Sequence, residues 1–162
     1  MRWQGFTVLV VVLLGGCSAP VGSPVADGWT GATRDSVAAA LDAFQRLSAA
    51  AQWDSVGALY SDAPGFAFYE TGALQYASAT AIRSALAQVP PGTRIETRYR
   101  DTRIEPLAPG IAHVGTLFQT TFADGTGPGF SYGGALSMVW VSEGGSWRIR
   151  LGHSSAPVPR GP

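Results

Sequence analysis

The sequence predicts an α+β domain, a cone-shaped, strongly curved and mostly antiparallel sheet covered by about three helices from the N-terminal half. Three observations predict it. Apolar residues recur at helical spacing between Val37 and Leu86. In the second half they alternate with period two along four long runs, separated by turns rich in Gly and Pro. The last run, Trp147 to Ser155, puts Trp147, Ile149, Leu151 and His153 on one parity and Arg148, Arg150 and Ser154 on the other. One face of that strand is therefore expected to be buried, with His153 at its wet end.

Residues 1–16 read as a targeting segment. Arg2 supplies a short positive region, and Phe6 to Leu14 is an apolar run too short to span a bilayer. The run ends in Leu14-Gly15-Gly16-Cys17, which resembles a bacterial lipobox and so implies a diacylglycerol on the thiol of Cys17. Cys17 is the single cysteine, so no intrachain disulfide can staple the exported domain. Acylation would also remove a free thiol from an oxidising compartment. Several acyl chains, at about 0.8 kcal/mol per buried methylene, anchor a protein stably where one chain does not. Ser18 follows the cysteine in place of Asp, which by the same resemblance implies the outer membrane, facing the periplasm. An ordinary secretory signal with an incidental cysteine is the alternative. Residues 17–32, rich in Pro, Gly, Ser and Ala, read as a flexible tether from lipid to domain. The domain is expected at 33–156, with a Pro-rich tail at 157–162 that cannot continue a ladder.

The chain has 162 residues, enough for one domain with a real core. Hydrophobic residues make up 46% and charged residues 14%, a globular balance. A formal net charge of +0 argues against nucleic acid or any polyanion held by bulk electrostatics. Arginine supplies every Lys/Arg-type charge, so a Schiff-base lysine is excluded; with no Asn, so is N-glycosylation.

Taken in order, Val37, Leu41, Phe44 and Leu47 lie on one helical face, predicting an amphipathic helix near residues 35–51 with Thr33 or Asp35 as its cap. Trp53, Val56 and Tyr60 continue as a shorter helix, broken at Asp62-Ala63-Pro64-Gly65. Phe66 to Glu70 reads as a strand turning at Thr71-Gly72 toward Leu74 to Tyr76. Ser78 is a good cap for a third helix carrying Ile82 and Leu86, which Pro90-Pro91-Gly92 stops. In the long strand from Thr93 to Pro106, Ile95, Thr97 and Tyr99 share one parity, which then shifts to Ile104. That shift predicts a bulge or sharp bend near Asp101. Strands at 111–124 and 130–142 follow, joined by the Gly-rich loop 124–129. Glu143-Gly144-Gly145 turns the chain into the closing strand.

Several patches carry weaker chemistry. Gly125-Thr126-Gly127-Pro128-Gly129 looks like a phosphate loop but lies between two strands and opens no helix, so it reads as a hairpin loop. Gly152-His153-Ser154-Ser155-Ala156 lacks the last glycine of an esterase elbow and has no histidine downstream. His113 and His153 belong to no His/Cys cluster, so no metal and no cofactor is expected.

The closing stretch, with a hydrophobic strand, a Glu-Gly-Gly turn, then Trp147, Arg148 and Ile149, and finally His153 and Ser155, resembles the end of SnoaL-like, or nuclear transport factor two-like, domains. The resemblance covers residues 35–155. It implies the cone fold, a cavity at the open end and pairing of the wet sheet faces as a possible homodimer. Family members include isomerases, cyclases and epoxide hydrolases that do acid–base chemistry inside the cone, but neither a Tyr with two acids nor an Asp-Arg-Asp set maps onto this chain.

His153 has two readings: a proton shuttle at the cavity wall, with Asp101, Tyr99 and Glu70 as co-workers, or a satisfied core histidine. Trp53, Tyr60, Phe68, Glu70, Phe118 and Trp140 are the expected cavity lining. The sequence therefore favours a lipid-anchored envelope protein whose domain binds a small hydrophobic ligand or mediates contacts. The alternative is an isomerase-, cyclase- or hydrolase-type enzyme.

Overall fold

Local sequence signals fix most of the elements of the computed structural model, which describes residues 26–123 and 129–156. Residues 1–25, with the expected signal segment, Cys17 and the first part of the expected tether, lie outside the described residues, as do residues 124–128 of the Gly-rich loop and the tail 157–162. The element order is α1 (Ala26–Ala49), α2 (Trp53–Gly57), β1 (Ala67–Glu70), β2 (Ala73–Tyr76), α3 (Ala79–Leu86), β3 (Arg94–Ala108), β4 (Ile111–Ala123), β5 (Phe130–Glu143) and β6 (Ser146–Ser155). Ser78 caps α3 as expected, its extended backbone letting Oγ accept from the Ala81 N–H at 3.1 Å. Thr71 and Gly72 both take positive φ in the β1–β2 turn, and Gly144 and Gly145 do so in the β5–β6 turn.

Helix α1 starts earlier than its apolar periodicity suggests. Residues 26–32, expected as tether, are helical, and Thr33 and Asp35 lie inside the helix and do not cap it. Packing outweighs the low helix propensity of Gly28 and Gly31 there, since Thr33 is already buried and Trp29 half-buried.

The six strands form one curved open sheet in the order β2-β1-β6-β5-β4-β3, antiparallel except for the β1–β6 pair. Helix α1 runs antiparallel along β3: Arg34 Nε donates to the Ile104 carbonyl and, farther along, Gln45 Nε2 donates to the Thr97 carbonyl at 2.8 Å. Val37, Leu41, Val114, Trp140 and Ile149 fill the closed end of the cone between α1 and the sheet. Trp147 packs at the margin of this core and donates its indole N–H to Ser36 Oγ at 2.9 Å. Among the described residues no helix is long and apolar enough to cross a membrane.

Two bulges decide which side chains face inward. The first was expected: Asp101 has φ 54°, and the β3–β4 register shifts between Arg100 and Arg103. It lets both Tyr99 and Ile104 face the helices despite their odd spacing. The second reverses the expectation for β6. Val139 opposes Leu151 while Trp140 opposes Ile149, so Arg150 is an extra, unpaired residue. Beyond it the parity inverts: Gly152 is buried and Ser154 half-buried on the inner face, whereas Leu151 and His153 are exposed on the outer face.

Contacts far away in sequence hold that bulge. Segment 59–61 pairs with Ile149, through Ile149 N–H to the Leu59 carbonyl and Ser61 N–H to the Ile149 carbonyl. The Arg150 guanidinium reaches the Pro64 carbonyl, Ser61 Oγ and the Glu143 carboxylate, and Ser61 Oγ in turn donates to Glu143 Oε1 at 2.6 Å. Gly152 completes the arrangement, because a Cβ there would lie 2.2 Å from Cε2 of Phe68.

Candidate functional site

At the open end of the cone, beyond the packed core, the inner faces of the sheet and α1 enclose a cleft of about 150 Å³. β1 contributes Phe68 and Glu70, and β3 contributes Thr97 and Tyr99 from the run that precedes its bulge. Phe118 and Thr120 come from β4, Tyr132 and Leu136 from β5, and Ser154 from β6 beyond the Arg150 bulge. Phe44 closes the helical side, with Tyr60 beneath it. The rings meet edge to face: Tyr60 against Phe44 and Phe68 at 6.1 and 6.5 Å, and Phe118 against Tyr132 at 5.5 Å.

Glu70 is the one charged side chain in this lining. Burial pushes its carboxyl above the ordinary value, and a long hydrogen bond from Ser154 Oγ, at 3.5 Å, offsets this only partly. Burial likewise raises the phenols of Tyr60, Tyr99 and Tyr132; Glu70 adds to the effect on Tyr60 and Tyr132. The tyrosines therefore stay protonated and act as neutral hydroxyls, while Glu70 is the acid of the cleft, its proton held more tightly than that of a free glutamic acid. Thr97 and Thr120 satisfy each other across β3 and β4 at 2.8 Å. Chemically the cleft can grip an apolar body, orient a polar tip by hydroxyls, and place one acid against it.

The raised pKa has a consequence for stability. A carboxyl that holds its proton more tightly when folded favours the folded state below its unfolded value, ordinarily 4.5, and that contribution is lost as pH rises through the folded value. Glu70→Gln removes the term. The variant should gain thermal stability relative to the wild type as pH is raised from about 4 to 8, measured as the difference in Tm; a difference flat across that range contradicts the burial of Glu70.

Of the residues expected from sequence, Tyr60, Phe68, Glu70, Tyr99 and Phe118 converge on this cleft. Trp140 does not line it: it is fully buried in the core, with its indole N–H unpartnered among the described residues. Trp53 borders a separate surface concavity between α2 and α3. His153 and Asp101 are exposed and stand apart from Tyr99, His153 because of the β6 bulge and Asp101 because its left-handed backbone turns it outward. Neither the proton-shuttle nor the core reading of His153 matches an imidazole on the outer face.

Sequence reasoning did not find Phe44, Thr97, Thr120, Tyr132, Leu136 or Ser154 as lining. Tyr132 had a signal in its alternation with Phe130 and Gly134 along β5. Ser154 had none, because its direction depends on the bulge.

A larger hollow of about 690 Å³ lies over the outer face near Leu117, Gln119 and Ala135, but among the described residues Arg100 is its one ionisable lining besides the phenol of Tyr132. Among the described residues no group of three or more His, Cys, Asp or Glu side chains is placed to hold a metal ion.

Residues 37–159 match the family model of the SnoaL-like domain. A search of curated proteins finds no match. Solved structures of the same shape include a candidate scytalone dehydratase from Novosphingobium aromaticivorans, 9% identical, covering 78% of this chain and 85% of that chain, TM-score 0.70. A nuclear transport factor 2-like superfamily protein from Salmonella enterica serovar Typhimurium is 16% identical over 81% of this chain and 95% of that chain, TM-score 0.66. A ketosteroid isomerase-like protein from Erwinia carotovora atroseptica is 16% identical over 77% and 96%, TM-score 0.62. At these identities the structures speak for the fold alone. With the cone, its mouth and the family model in agreement, the chain belongs to the SnoaL-like domain family.

Proposed function

We propose that this chain is a lipid-anchored envelope protein whose SnoaL-like domain holds a small, mostly apolar molecule in the cleft at the mouth of its cone. The observation that carries the reading is the cleft itself: about 150 Å³ walled mainly by rings, with hydroxyls and one carboxyl to orient a guest. Native mass spectrometry of the purified protein tests it. A copurifying small molecule that is lost when Phe118→Trp fills the cleft supports the reading; a guest retained by that variant sinks it.

The anchor rests on the apolar run and on Leu14-Gly15-Gly16-Cys17. Cys17→Ser should move the protein from the membrane fraction to the soluble one, and the wild-type mature chain should carry fatty acid on its first residue. An unmodified Cys17 in the mature chain would remove the tether and leave the domain reading intact. Anchoring at the outer membrane, facing the periplasm, follows from Ser18.

The exposed Tyr69, Leu117 and Leu151, all on the outer sheet face, support a homodimer through that face. The same mass spectra would show it.

A second reading, an acid–base enzyme, is favoured by one observation: Glu70, a carboxyl of raised pKa, stands among protonated tyrosine hydroxyls. In that case Glu70 moves the proton, and Tyr99 or Tyr132 stabilises the oxygen that gains charge. His153 and Asp101, which stand outside the cleft, take no part.

A further inference from the structure

We propose that the guest of this cleft is an alkylated ammonium ion, its methylated head enclosed by the aromatic walls and its charge set against Glu70. This rests on the reading that the cleft binds a small molecule, and it names the chemical class.

The lining holds six aromatic side chains, Phe44, Tyr60, Phe68, Tyr99, Phe118 and Tyr132, and a single carboxyl. Ring faces carry negative potential and attract cations, most strongly where water is excluded. Tyr60, Phe68 and Phe118 are all buried, and edge-to-face contacts between the rings make walls at steep angles to one another. Such walls suit a rounded guest better than a flat one.

The carboxyl gives the second, independent observation. Among the described residues Glu70 has no cation within ion-pair distance, and the Ser154 hydroxyl at 3.5 Å is its one hydrogen-bond partner there. The ion pairs that do form lie elsewhere, as Arg34–Glu105, Arg83–Asp62 and the pairing of Arg148 and Arg150 with Glu143. No arginine lines the cleft, and the chain has no lysine. A half-buried acid in an aromatic enclosure without its counter-charge is complementary to a cation brought from outside.

Hydration selects among cations. A primary ammonium is strongly hydrated and would lose that hydration against walls made mainly of rings. A methylated nitrogen needs no acceptor. An anionic head would meet Glu70 with no compensating positive charge.

The experiment is calorimetric titration of the purified full chain with choline and with 3,3-dimethyl-1-butanol, its uncharged carbon isostere. Choline is expected to bind at least ten-fold more tightly. Glu70→Gln should weaken choline about ten-fold and leave the alcohol within about two-fold. Phe44→Leu, which keeps an apolar wall but removes a ring, should likewise weaken choline more than the alcohol. If the alcohol binds as tightly as choline, the ammonium inference is wrong and the apolar cleft stands. If neither ligand binds the wild type, the ammonium inference fails, and the mass spectra of the Phe118→Trp variant decide the cleft reading separately. Should Glu70→Gln not fold, as judged by circular dichroism, the Phe44→Leu comparison decides alone.

Discussion

Trp140→Ala should cost about 3–5 kcal/mol of folding stability, the largest loss expected from any single truncation in this domain. Trp140 has 0% exposure and lies on β5, with Val37, Val114 and Ile149 among the core residues of the same cluster. Removing the indole leaves a void that a sheet pinned on both sides cannot collapse into, so the cavity cost adds to the lost transfer energy. Trp140→Phe should be far milder. It keeps most of the packing and also removes an indole N–H that is buried without a partner among the described residues. Urea unfolding of the two variants beside the wild type checks both statements. A loss below about 1 kcal/mol for Trp140→Ala would mean the residue is not the centre of the core.

The second large effect belongs to Gly152→Ala, which should destabilise the fold by roughly 1–3 kcal/mol and reshape the cleft at once. The added methyl would stand 2.2 Å from Cε2 and 2.3 Å from Cδ2 of Phe68, so the ring must leave its place as a cleft wall. The result also discriminates between two strand registers. Were β6 regular, with Leu151 inward, Gly152 would face solvent, and alanine would stabilise the strand by about 0.5–1 kcal/mol. The sign of the change in unfolding free energy therefore reports the bulge directly. Combining Gly152→Ala with Phe68→Leu should restore part of the loss, since the smaller side chain relieves the overlap; simple additivity would mean the two residues do not meet.

The elements with local causes were legible. Ser78 caps α3 with its own hydroxyl, and Gly72, Gly144 and Gly145 turn the chain because glycine takes positive φ at little cost. The bulge at Asp101 showed itself in the shift of apolar parity from Tyr99 to Ile104. Five cleft residues, Tyr60, Phe68, Glu70, Tyr99 and Phe118, were named from the sequence as aromatic or polar lining, and for Tyr99 the parity it shares with Ile95 and Thr97 also gave its face. The start of α1 was not, because the turn between Ala26 and Thr33 owes its helix to packing and not to propensity.

By itself, the sequence determined the α+β class, the order of the elements and the inner face of β3, since turn chemistry and hydrophobic period act over a few neighbouring residues. It also carried the family resemblance in Trp147, Arg148 and Ile149. Only the tertiary structure decided what the end of β6 presents. The alternation of Trp147, Ile149, Leu151 and His153 is consistent with a regular strand. However, Ser61, Pro64 and Glu143 hold Arg150 out of register, and the Phe68 ring occupies the space a side chain at Gly152 would need. Those partners are remote in sequence, so no local period could reveal that Ser154 joins Glu70 in the cleft while His153 faces outward.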